Sequence, residues 1–267
     1  MDLRAFLART WDRYRSITPD AGRVHALLES RGERIINDHV AYRTFDLPGI
    51  SRLEIGALFE PFGYERREDL DFPEKKLKAT FWIHPDPALP KIFVSELLLE
   101  QVSPALRAWI QELVAPARAR KLSLASLLEP SWAPPSFEDY QRFYPESEYA
   151  SWTAAFGIQA NHFTVFVNEL KSFDGIASLN AFLQSSGFEL NASGGIIKGT
   201  AREGLEQSST LARRVPWSFA GGESREIMSC YYEFAYRHPL EAGGPLFQGF
   251  VPKSADRIFE STFERQS

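Results

Sequence analysis

Cysteine is almost missing from this chain: Cys230 stands alone among 267 residues. One thiol excludes an internal disulfide and any zinc site built on several cysteines. Long apolar runs are also lacking, with none near the roughly 18 residues a membrane helix needs. The opening MDLRAFLARTWDRYR is broken by charge where a signal peptide carries its apolar centre. A soluble, cytoplasmic protein is therefore expected. Basic residues are not in excess, since 30 Lys and Arg face 35 Asp and Glu for a formal charge of −5. General nucleic-acid binders carry the opposite imbalance. Phosphate-cradling glycine patterns are absent too; SGG at 193–195 and GG at 221–222 fit turns.

Histidine is scarce, at five residues, yet two occupy matching settings. His39 lies in NDHVAYRTF and His162 in NHFTVFVN; each follows Asp or Asn and opens a run of alternating polarity. Hydrophobic residues make up 44% of the chain and aromatics 13%, enough for a sizeable core. Helical spacing of Leu3, Phe6, Leu7 and Trp11, then Asp20 and Gly32 as start and stop signals, predict two helices over residues 1–36. From His39 the order reads strand, helix (47–64, with Pro48 near its start and Gly63 past its end), then three strands. The same order restarts at His162, 123 positions later (162 − 39). The expected organisation is a βαβββ module over 37–100, a helical connection over 101–160, a second module over 161–237, and a C-terminal loop and helix over 238–267. Together they make one α+β domain.

Alternation decides which side chains share a face. His39, Ala41 and Arg43 point one way; His162, Thr164 and Phe166 share a face; Tyr231, Glu233, Ala235 and Arg237 share another. Val40, Tyr42, Phe163, Val165, Tyr232 and Phe234 form apolar backs. A carboxylate such as Glu233 among aromatics is costly to bury unless paired or metal-bound. Two neutral imidazoles and one carboxylate suit a divalent transition metal, with positions left open as in non-haem Fe(II) oxygenases. Taken singly, each histidine has a plain structural reading and Glu233 reads as an ion-pair partner. The repeated context is what joins them.

Six ordered blocks, DHVAYRTF, LPKIFVSEL, NHFTVFVN, LEQSST, YYEFAYR and SADRIFEST, span about residues 37 to 263. In these the chain resembles the family containing 2-oxoadipate dioxygenase/decarboxylase, a divergent branch of the vicinal-oxygen-chelate superfamily, as a short member. The resemblance implies a cupped mixed β-sheet of glyoxalase-like type. It also implies Fe(II) held by His39, His162 and Glu233, and a substrate role for Arg43. The implied reaction takes 2-oxoadipate and O2 to 2-hydroxyglutarate and CO2, in lysine catabolism. Arg43 and Gln207 are the catalytic candidates; Arg43, Lys76, Ser208 and Ser254 are the substrate-binding ones. Glu96 reads as the first module's counterpart of Glu233, in a structural or supporting role. His25, His84 and His238 are assigned to helix surface or strand ends, and Cys230 alternates away from Glu233. Two other readings stay open: a glyoxalase-like isomerase or lyase, which needs a second carboxylate such as Glu96 at the metal, and a non-catalytic organic-acid-binding protein. A metal-dependent hydrolase is weaker still, because no HExxH pattern occurs. No nucleic-acid or membrane partner is expected.

Overall fold

In the computed structural model, which describes residues 2–253, the alternating runs assemble into one mixed, curled sheet of eight strands. The chain begins with α1 (Leu3–Ile17) and α2 (Pro19–Ser30). Asp2 caps α1 by accepting from the Arg4 and Ala5 amides, and Pro19 opens α2, where its missing N–H costs nothing. Then come β1 (Asn37–Phe45), α3 (Arg52–Ala57), β2 (Glu65–Phe72), β3 (Leu77–Ile83) and β4 (Lys91–Leu97). Helices α4 (Pro104–Arg118), α5 (Phe137–Phe143) and α6 (Glu148–Phe156) follow. The strand-first order then repeats with β5 (Ala160–Phe166), α7 (Ile176–Ser185), β6 (Lys198–Thr200), β7 (Leu205–Ser209) and β10 (Glu233–Arg237). Strands β8 (Arg214–Ser218) and β9 (Ser224–Met228) pair only with each other, as a hairpin between β7 and β10.

The sheet order is β2-β3-β4-β1-β5-β10-β7-β6. Its two halves meet where β1 and β5 run antiparallel, and in each half the opening strand pairs in parallel with the closing one. The apolar backs face helices: Phe163 of β5 lies 5.2 Å from Trp11 and 5.1 Å from Tyr14, both on α1. Ser208 of β7 meets Asn180 of α7, and Arg52 of α3 meets Glu96 of β4. The opposite face carries His39, Arg43, His162 and Glu233. Gly56 lets α3 lie hard against β3, because a Cβ there would sit 2.0 Å from the Trp82 ring.

Three expectations change in detail. The helix predicted over 47–64 begins only at Arg52, because Ser51 and Glu54 form a reciprocal capping box and Gly49 is left-handed (φ 93°) before it. The run LEQSSTLARRVPWSF is two strands, β7 leaving the sheet after Ser209 as Leu211 bonds to Glu189, with the remainder joining the hairpin. Finally, the middle segment is no mere connector. Every residue of α6 from Tyr149 to Phe156 is buried, and the helix packs on β1 beside Arg43. Beyond residue 253 the predicted terminal helix lies outside the described residues.

Candidate metal centre

The sheet register brings three distant side chains to one point. His39 lies opposite Thr164, and Glu233 lies on the other side of the same Thr164. His162 sits two residues before Thr164, on the same face. The ligand atoms of His39, His162 and Glu233 all lie within 4.8 Å of one another, and all three residues are buried. His39 Nε2 is 3.5 Å from one Glu233 oxygen and His162 Nε2 is 3.3 Å from the other. The two imidazole rings meet edge to face at 5.5 Å.

The residue before each histidine explains the repeated context. Asp38 Oδ1 lies 2.8 Å from His39 Nδ1, and Asn161 Oδ1 lies 3.0 Å from His162 Nδ1. Both oxygens accept, so the network places each ring proton on Nδ1 and turns the Nε2 lone pair toward the shared point. Asp38 is itself fixed. Arg237 grips it with contacts of 2.5 and 2.8 Å, and Lys91 stands 3.5 Å away. Burial works against the Asp38 charge, but these cations outweigh it and hold the carboxyl well below its ordinary range.

Electrostatics suit a cation at this point. Burial, with His39 and Arg43 nearby, pushes the His162 imidazole well below its ordinary value; burial likewise lowers His39 against the pull of Asp38. Both rings are therefore neutral donors. Burial also raises the Glu233 carboxyl to about 8, even though Gln207 donates to it across 2.6 Å. Burial thus disfavours charge on this carboxyl, and a divalent transition metal set between it and two neutral imidazoles would stabilise the carboxylate. The donor set fits such an ion.

Gln207 lies on the cup face beside Glu233, and its Oε1 finds no partner among the described residues. Arg43 is fully buried, 3.2 Å from Glu148, with its guanidinium 4.8 Å from the Tyr149 ring and 4.9 Å from the Trp152 ring. Four residues along β1 from His39, it lies on the same face. Ser208 points the other way, donating to Asn180 across 2.7 Å beneath α7. One step along a strand reverses the face, so Ser208 is not at the trio although Gln207 is. Lys76 is also remote. It occupies a left-handed turn at the Leu77 end of β3, which pairs with Leu97 and so with Phe45, six residues along β1 from His39. Ser254 lies outside the described residues.

Glu96 requires a correction of register. Ala41 pairs with Phe93, and Thr164 pairs with Glu233; each partner sits two residues from the histidine of its own half. The counterpart of Glu233 is therefore Phe93. Glu96 faces the helices, bound to the Arg52 side chain and, at 2.8 Å, to the Arg52 amide. Arg52 also reaches Thr80 at 2.9 Å and Asp69 at 3.1 Å. Deleting one partner of such a buried pair costs about 3–5 kcal/mol, a structural role. Phe93 instead joins Phe81 and Phe250 in an apolar wall, with Phe250 5.0 Å from each and 4.9 Å from the His39 ring.

The other three histidines lie outside the trio. His25 contacts Glu29, His84 contacts the Phe62 carbonyl and His238 contacts Glu206, all away from the trio. Burial pushes the Cys230 thiol up to about 12, far from a nucleophilic thiolate. Sequence reasoning missed Glu148, Tyr149 and Trp152 around Arg43, because α6 read as linker, and Phe250, which no periodicity marks. Tyr231 was legible through its alternation with Glu233.

Known proteins resemble this chain in sequence and in fold. The family model for 2-oxoadipate dioxygenase/decarboxylase matches residues 15–130 and 113–248. A rice relative, "2-oxoadipate dioxygenase/decarboxylase, chloroplastic/amyloplastic", is 36% identical over 95% of this chain and 76% of its own. The crystal structure of hydroxyglutarate synthase in complex with 2-oxoadipate from Oryza sativa superposes with a TM-score of 0.91 at 34% identity, over 97% of this chain and 91% of that one. A Shewanella frigidimarina protein provisionally called a hydrolase gives a TM-score of 0.85 at 41% identity, over 94% of this chain and 98% of that one. For fold alone, a glyoxalase superfamily protein from Ralstonia eutropha matches with a TM-score of 0.76 at 19% identity, over 92% of this chain and 84% of that one. The curled sheet is thus shared with these proteins, and the chain belongs to the 2-oxoadipate dioxygenase/decarboxylase family.

Proposed function

We propose that this protein is an Fe(II)-dependent dioxygenase/decarboxylase of a dicarboxylic 2-oxo acid. It would convert 2-oxoadipate and O2 to 2-hydroxyglutarate and CO2, a step in lysine catabolism. The observation that carries the reading is the buried meeting of His39, His162 and Glu233 with Arg43 on the same face. The rice neighbour's complex with 2-oxoadipate supports the substrate class. Among the described residues no helix is long and apolar enough to cross a membrane.

In this reading His39, His162 and Glu233 hold the iron, which when bound supplies the oxygen-activating and Lewis-acid chemistry that protein side chains lack. The chain's own residues do the rest. Asp38 and Asn161 keep the imidazole Nε2 atoms aimed inward, and the Gln207 amide steadies one oxygen of Glu233. Arg43, its guanidinium held against the Tyr149 and Trp152 rings, offers a fork of donors suited to the substrate's distal carboxylate. Phe81, Phe93 and Phe250 exclude water on the His39 side. A glyoxalase-like reaction would ask for a second carboxylate, and at that register stands Phe93.

Anaerobic loading with Fe(II), followed by 2-oxoadipate and O2, tests this reading. Oxygen uptake, CO2 release and 2-hydroxyglutarate formation are expected in equal amounts. Absence of uptake with every dicarboxylic 2-oxo acid overturns the enzyme. Tight dicarboxylate binding by protein that takes up no metal would favour the binding protein instead.

A further inference from the structure

One buried polar group at the cup has no role in the account above. Tyr231 is fully buried, and its hydroxyl meets no hydrogen-bond partner among the described residues. Folded proteins rarely leave such a donor idle away from a functional site. Its ring is held firmly, stacked on His162 at 4.8 Å with 24° between planes, while its backbone carbonyl accepts from Tyr14.

The register states where this hydroxyl belongs. Strand β1 runs against β5, and β10 runs with β5. One row across the cup therefore holds His39, Thr164 and Glu233. Two residues on, the next row holds Ala41 and His162, and Tyr231, two residues before Glu233 and just ahead of β10, stacks its ring on that His162. Arg43 opens the row after that, another two residues along β1. Tyr231 thus stands beside His162, on the side of the trio toward which β1 continues to Arg43. Arg43 already faces Glu148 at 3.2 Å, whose side chain is only 8% exposed. A second anion arriving there meets a guanidinium whose charge is largely matched, so a neutral donor beside it has a clear use.

We propose that Tyr231 is a substrate-binding residue whose hydroxyl donates to the distal carboxylate of the dicarboxylic 2-oxo acid, alongside Arg43. The inference rests on the proposed function for its ligand, but not on turnover. The aromatic ring keeps His162 in place; the hydroxyl alone recognises the acid.

The variant Tyr231→Phe separates these tasks. For 2-oxoadipate its KM should rise about tenfold or more, as loss of a hydrogen bond to a charged group predicts, with kcat within about twofold. For 2-oxohexanoate, which carries a methyl group in place of the distal carboxylate, variant and parent should be equal. Calorimetric titration of Zn(II)-loaded protein with 2-oxoadipate should show the same weakening without any reaction. The variant's own affinity for Zn(II) should match the parent's. Unchanged affinity for 2-oxoadipate, equal losses with both acids, or weakened Zn(II) binding would each overturn the assignment. Should the parent bind 2-oxoadipate yet turn over no 2-oxo acid, the enzyme reading fails while the Tyr231 contact is still decided by the Zn(II) titration.

Discussion

Exchanging His162 for alanine is expected to strip the protein of metal and turnover together. The imidazole is one of three ligand groups, and neither side of it offers a replacement: Tyr231 stacks on one face, and Asn161 is engaged with the ring itself. Loss of a residue that merely orients a ligand weakens metal binding roughly 10–100-fold, so loss of the ligand should exceed that range. Metal analysis of purified protein, paired with oxygen uptake, reads both effects. His238→Ala is the matching control, since His238 contacts Glu206 outside the trio, and it should keep full metal content. Retained metal and activity in His162→Ala would remove that residue from the centre.

Arg43→Ala carries the second large effect, and it has two parts. Truncation leaves Glu148 facing a buried space without its 3.2 Å partner, which should cost about 3–5 kcal/mol of stability. It also removes the guanidinium from the distal end of the substrate. The double variant Arg43→Ala with Glu148→Gln should recover much of the melting temperature, because the stranded charge is gone, yet recover none of the affinity for 2-oxoadipate. We expect KM for 2-oxoadipate to rise about 100-fold, the range for losing charge-assisted bonds. Arg43→Lys should rescue little, since an ammonium can neither spread against the Tyr149 and Trp152 rings nor pair bidentately. A loss as large with monocarboxylic 2-oxo acids would undo the assignment of Arg43 to the distal carboxylate.

What the sequence made legible follows from how local each signal is. Period-two alternation is a property of the strand itself, so the pairing of His39 with Arg43 on one face, and of His162 and Glu233 each against an apolar back, could be read directly; the repeated context joined the three strands. The Asp–His and Asn–His pairs were visible as well, although only the folded geometry shows that the first residue steers the second. Register is another matter. Whether Glu96 or Phe93 answers to Glu233 depends on a three-residue offset between parallel strands, which hydrogen bonding across β1 and β4 decides. Ser208 shows the same limit at smaller scale, because one residue separates the cup from the helices. Helix α6 was hidden for a different reason. Its residues Tyr149 to Phe156 are buried on all sides, so no polar face announced it as amphipathic. Phe250 reaches the His39 ring from a segment with neither period, and nothing before the fold predicts that contact.

Two imidazoles and one carboxylate must grip a single ion although 194 positions (233 − 39) separate the first from the last. Crystals of the Fe(II)-loaded protein, with anomalous diffraction recorded at the iron edge, examine that directly. A single strong peak bonded to Nε2 of His39, Nε2 of His162 and the carboxylate of Glu233 is predicted. A peak bound elsewhere, or iron-loaded protein showing none at this point, would contradict it.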